Sequence, residues 1–79
     1  MNTLIVKYDA KATAIHFTKG QMQVALKDGR MISVPLAYFP KLMHATAKQL
    51  NNWRLIGNGI GIHWEILDED LSVDGLLAS

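Results

Sequence analysis

The 79-residue chain has no cysteine, and this absence removes disulfide staples, thiolate nucleophiles and cysteine-ligated zinc together. A zero count also fits a reducing compartment. No apolar run approaches the roughly 18 residues of a membrane span. The opening Met1-Asn2-Thr3-Leu4-Ile5-Val6 lacks the basic n-region and long apolar h-region of a secretory signal. The chain is therefore expected to be cytoplasmic, with no membrane partner. Acids are scarce over most of its length. Residues 1–64 hold all eight cations and two acids, Asp9 and Asp28, for a net +6. Residues 65–79 hold five acids, Glu65, Asp68, Glu69, Asp70 and Asp74, and no cation, for a net −5. Such a split suits a bipolar surface that docks a partner or a second copy of the chain, and it also suits acids gathered to stabilise a helix N-terminus.

What remains is a globular composition, 49% hydrophobic and 19% charged, too apolar for a disordered chain. The length allows a single domain, residues 1–79. A chain this short buries only about 60% of the surface its unfolded form exposes. With disulfides excluded, self-association as a homodimer is the expected support. Thr3–Tyr8 is β-branched and apolar, and Thr13–Thr18 alternates with Ile15 and Phe17 on one face and His16 on the other; both read as strands. After a turn at Lys19-Gly20, Met22, Val24 and Leu26 recur with a period of two. Asp28-Gly29 favours a hairpin turn, with Arg30–Val34 as the return strand and Pro35 as its end. From Pro40 the period becomes helical through Leu42, Met43, Ala45, Thr46, Ala47 and Leu50, fraying at Asn51-Asn52. Trp53–Ile56 reads as either helix end or strand. Beyond the Gly57-Asn58-Gly59 turn, Ile60, Ile62, Trp64 and Ile66 share one face of a strand, leaving Gly61, His63 and Glu65 on the other. Leu67–Leu71 is expected to leave the sheet, and Ser72 to cap a short last helix. The reading is an α+β fold: a small antiparallel sheet, made of a hairpin meander plus a later strand, with a central helix and a short C-terminal helix.

Chemistry is harder to place. His16, His44 and His63 fall on separate elements, and no serine carries a nucleophile-elbow pattern, so no catalytic residue and no enzyme activity are expected. Gly57-Asn58-Gly59-Ile60-Gly61 is glycine-rich but leads into a strand, whereas a phosphate loop needs a helix N-terminus; no cofactor is expected. His63 with Asp68, Glu69 and Asp70 offers nitrogen and oxygen ligands, yet consecutive acids diverge. No metal is expected there; Asp68 or Asp70 is expected instead to cap backbone N–H groups around the last helix. Trp64 reads as core, and Trp53 as core more than surface. Tyr38 and Phe39 are expected to lock the corner before Pro40. Nucleic-acid binding is the alternative function, through Lys7, Lys19, Lys27 and Arg30 on a sheet face with Tyr8, Phe17 or Trp53 stacking on bases. The lysines are dispersed, however, and the pI of about 8.1 is modest for such a role.

The stretch from Gly59 to Leu77 carries the pattern I-H-W-x-x-L-D-E-D-L-S-x-x-G-L-L. With Asp28-Gly29 and the passage from Val34-Pro35-Leu36 to Tyr38-Phe39-Pro40, it resembles a bacterial domain-of-unknown-function family, number 2442. The resemblance implies a compact α+β domain of bacterial or phage-like origin. It also implies an antitoxin-like partner of a small toxin-like protein. Longer relatives add a C-terminal helical DNA-binding domain that this chain, ending at Ser79, is expected to lack. The combined expectation is a non-enzymatic protein-interaction module. Its docking residues would be His63, Glu65, Asp68, Glu69, Asp70 and Asp74, and its partner another protein, basic in character, or a second copy of itself.

Overall fold

The structure is a computed structural model that describes residues 8–78. The strand expected over Thr3–Tyr8 lies, apart from Tyr8, outside the described residues. Strands β1 (Ala12–Thr18), β2 (Gln21–Leu26) and β3 (Met31–Pro35) form an antiparallel meander in the order β1-β2-β3. Met22, Val24 and Leu26 are buried, as their alternation requires. In β1 the buried residues are Ala12 and Ile15, three apart rather than two. The cause is a bulge: Ala12 pairs with Leu26 but Ala14 with Ala25, so Thr13 is an extra residue and the strand changes phase across it. The β2–β3 hairpin closes with Leu26 N–H donating to the Arg30 carbonyl at 2.8 Å and Gly29 N–H to the Leu26 carbonyl at 3.0 Å. Its loop is Lys27-Asp28-Gly29, with the left-handed backbone at Gly29 (φ 95°).

The central helix is two pieces. A 3-10 turn over Leu36–Tyr38 leads into α1 (Pro40–Met43), and the chain turns before α2 (Ala47–Leu50). Thr46 causes the break. Its backbone is extended (φ −73°, ψ 162°), its hydroxyl accepts from Gln49 N–H at 3.1 Å, and its own N–H donates to the Gln49 side chain at 2.9 Å. This capping box starts a new helix where periodicity alone continues the old one. Phe39 packs against the core and locks the corner before Pro40, whereas Tyr38 is exposed.

Strands β4 (Trp53–Ile56), β5 (Gly61–Trp64) and β6 (Glu69–Ser72) make a second antiparallel sheet in the order β4-β5-β6, and α3 (Val73–Ala78) follows. Trp53–Ile56 is thus strand. The strand expected from Ile60 to Ile66 is shorter, and its two end isoleucines are 60% and 65% exposed. Ile60 has helical backbone angles (φ −73°, ψ −21°), and Ile66 falls in a tight turn closed by Asp68 N–H donating to the Glu65 carbonyl at 3.2 Å. That turn, with Asp68 left-handed at φ 50°, sends Glu69–Ser72 back along β5, correcting the expectation that this segment leaves the sheet. Ser72 does cap α3, its hydroxyl accepting from Gly75 N–H at 2.9 Å. The capping role expected of Asp68 or Asp70 falls to Ser72.

The two sheets share one core. Ile62, Trp64, Met22, Val24, Leu42 and Val73 are each at most 1% exposed and belong to one cluster. The sheets touch at Gly59 (φ 99°), where a Cβ would sit 2.3 Å from the Ala12 carbonyl oxygen. Gly61 is crossed by the Ile56 side chain, 2.9 Å from where its Cβ would stand, which is why glycine stands inside that strand. Among the described residues, no helix is long and apolar enough to cross a membrane.

Gly59→Ala is expected to cost about 3 kcal/mol, since it combines left-handed strain with a backbone clash. Thr46→Ala should cost about 1 kcal/mol by removing the cap. Urea unfolding midpoints check both, and equal losses would contradict this account of the sheet junction.

Candidate functional site

Burial of Ile62 and Trp64 on the inner face of β5 turns His63 outward. Register places Arg54 of β4 and Asp70 of β6 directly opposite His63 on either side, so the three form a row across the outer face of the sheet. Glu65, just past β5, joins it. The His63 Nδ1 bonds the Asp70 carboxylate, and Nε2 bonds Glu65 Oε1 at 3.1 Å. The Arg54 guanidinium reaches the same Glu65 oxygen at 3.4 Å. An imidazole with a carboxylate on each nitrogen is best satisfied as a double donor, which is the charged form. The Asp70 hydrogen bond, with help from Glu65 and against partial burial of the ring, holds the His63 pKa above its ordinary 6.5. The ring is 15% exposed, while the Asp70 and Glu65 side chains are 68% and 75% exposed. The carboxylates face solvent and the histidine orients them from beneath.

Of the six docking candidates, the structure brings together His63, Glu65 and Asp70. Glu69 pairs in register with Trp64 on the opposite, inward face and is half-buried. Asp68 is exposed in the turn, its carbonyl accepting from Lys41 Nζ at 2.8 Å, and Asp74 is exposed in the first turn of α3. Arg54, which the sequence reading did not select, completes the row; its strand assignment was open, and cross-strand register was the missing signal. The two carboxylates grip opposite nitrogens of one ring, so they do not converge on a common point. Among the described residues no group of three or more histidines and acids converges as a metal site. His44 bonds the Pro40 carbonyl at 3.0 Å and His16 is exposed on β1.

The cationic candidates are scattered. Lys7 lies outside the described residues, Lys19 is exposed in the β1–β2 turn, and Lys27 is exposed in the β2–β3 loop. Arg30 is held by Asp28 at 2.9 Å and covers the Tyr8 ring at 4.7 Å. The Asp28 side chain is 4% exposed. Its hydrogen bond from the Arg30 side chain, aided by the amides of Arg30 and Asp9 and opposed by burial, lowers its pKa to about 2. Phe17 and Trp53 are half-buried against the core.

The family profile described as "Protein of unknown function (DUF2442)" matches residues 12–79. The chain belongs to this family. The matched span of this DUF2442 chain includes both sheets and the whole Arg54–His63–Asp70 row. A protein of unknown function from Rhodospirillum rubrum, known from a crystal structure, is similar at 33% identity over 86% of this chain and 84% of its own, with a TM-score of 0.75. An uncharacterized protein from Chromobacterium violaceum, known from a solution NMR structure, shares the fold with a TM-score of 0.73. It is 24% identical over 86% of this chain and 64% of its own. No curated protein gives a significant match.

Because the folded pKa of His63 lies above its unfolded value of 6.5, its contribution to stability is complete below pH 6.5 and is lost as pH rises through the folded pKa. The Tm advantage of the wild type over His63→Gln is therefore expected to shrink as pH is raised through and above neutrality. NMR titration should place the His63 pKa above 6.5 in the wild type and return it toward 6.5 in Asp70→Asn. A Tm difference independent of pH would contradict the double-carboxylate arrangement.

Proposed function

We propose that this chain is a non-enzymatic protein-interaction module that docks a basic partner on the outer face of the β4-β5-β6 sheet. The observation that carries this reading is the pair of solvent-facing carboxylates, Glu65 and Asp70, held in fixed positions by His63 between them. Carboxylates held in place lose little conformational freedom when a lysine or arginine arrives, so charge complementarity is spent on recognition rather than on ordering. Asp68 and Asp74 extend the negative potential around the hairpin and steer the encounter. A small toxin-like protein with a cationic active surface is a partner of the required chemistry, and covering that surface with acids would block its access to an anionic substrate. The antitoxin-like role rests on that complementarity and on the family resemblance. The reading supposes a non-membrane protein acting in the cytoplasm.

Co-expression with the product of the adjacent gene, with an affinity tag on one of the two, is expected to yield a complex that weakens as salt is raised. Glu65→Lys and Asp70→Lys should each weaken it at least about tenfold, measured by calorimetry, while Lys19→Gln leaves it intact. Absence of a complex at low salt, or a complex indifferent to both reversals, would overturn the proposal.

A further inference from the structure

Lys11 and Lys27 meet at the open end of the β1–β2 pair. The Lys27 N–H donates to the Lys11 carbonyl at 2.8 Å, one step beyond the Ala12–Leu26 pair. Like charges placed opposite each other on one sheet destabilise it. Among the described residues, neither ammonium has a carboxylate within salt-bridge distance. The acids closest in sequence meet other groups than the two ammoniums: Asp28 holds Arg30 and accepts the Asp9 amide, and Asp9 accepts the Lys11 backbone amide at 3.4 Å.

Both lysines line one cleft of about 690 Å³, together with Ala12, Thr13, Leu55 and Asn58. No acid is among them. The cleft opens beside the contact between the sheets, where Gly59 abuts Ala12, so parts of both sheets line it. Its chemistry is divided. Lys11 and Lys27 supply two cations. Asn58, left-handed at φ 59° between two left-handed glycines, supplies a carboxamide that makes no hydrogen bond among the described residues. Leu55 supplies apolar surface. The volume is within the range of small-molecule sites, and a phosphate monoester, carrying nearly two negative charges at neutral pH, matches the two cations.

We propose that this cleft binds a small organic phosphate, with the phosphate between Lys11 and Lys27 and the organic portion against Leu55. None of the residues of the acidic docking face takes part, so the assignment stands or falls separately from that reading. An anion seated between the lysines would convert their mutual repulsion into two attractive contacts.

The test is a ¹H–¹⁵N NMR titration of the full chain at low ionic strength with phenyl phosphate and, separately, inorganic phosphate. Shifts are expected to concentrate at Lys11–Thr13, Lys27, Leu55 and Asn58, with phenyl phosphate binding several-fold more tightly because its ring covers Leu55. Lys11→Gln and Lys27→Gln should each weaken binding by roughly tenfold, and Lys19→Gln should leave it unchanged. Without ligand and at low salt, Lys27→Gln should melt no lower than the wild type, since it relieves a like-charge pair; its loss of binding is then not a loss of fold. Shifts spread over the whole surface, or lysine variants that bind as the wild type does, would overturn the proposal. Tighter, lysine-dependent binding of a short single-stranded oligonucleotide than of phenyl phosphate would overturn it in favour of a phosphodiester backbone.

Discussion

The indole of Trp64 is fully buried, and a buried N–H must find an acceptor or cost the molecule its full desolvation. It donates to the Leu50 carbonyl at 2.9 Å. Leu50 is the last residue of α2, where helical carbonyls lack partners of their own, so one bond satisfies two needs. Burying an indole contributes on the order of 4 kcal/mol by area, a large share for so short a chain. The same contact pins β5 in one phase. With Trp64 and Ile62 inward, His63 is outward, and a slip of one residue would bury the histidine and expose the tryptophan.

A three-stranded sheet needs its apolar face covered to be stable, and this chain has two such sheets on one core. Their union depends on small residues more than on large ones. Gly59 approaches the Ala12 backbone more closely than any side chain would allow, and Val73 N–H donates to the Ile60 carbonyl at 3.0 Å, tying the start of α3 to the loop before β5. Lys41 Nζ, bonded to the Asp68 carbonyl, ties α1 to the β5–β6 turn. The docking face and the lysine cleft therefore both depend on the way the sheets are joined.

Much of this was legible from residue order alone. Alternation identified β2 and the buried pair Ile62 and Trp64, Asp28-Gly29 identified the β2–β3 hairpin, and Ser72 identified the start of α3. Period-based reasoning failed where a side chain competed with the pattern. Thr46 looks like one more residue of a helix until its reciprocal bond with Gln49 is known. Thr13 looks like a regular strand residue, yet as a bulge it moves Ala12 inward. The return of Glu69–Ser72 as β6 was hidden because three consecutive acids read as loop; one turn with Asp68 left-handed suffices to pair them with β5. The candidate site shared that fate. His63, Glu65 and Asp70 were selected for their charge, but that the histidine lies between the two carboxylates, and that Arg54 completes the row, follows only from register.

The sequence-level division into a basic body and an acidic tail takes a different form in three dimensions. On the outer face of the second sheet the acids come with fixed partners: Arg54 meets Glu65, and His63 bonds both Glu65 and Asp70. Charges that answer one another are held in place, and a surface built this way selects by position more than by total charge. Arg30 is likewise answered by Asp28. At Lys11 and Lys27 the opposite holds, since two like charges share a cleft without a carboxylate. Repulsion of that kind persists in a fold only where it is small enough to tolerate or where something outside the chain relieves it. Full exposure would make it tolerable through screening. Lys11, however, is half-buried, where screening is weaker and a bound anion has the more to gain.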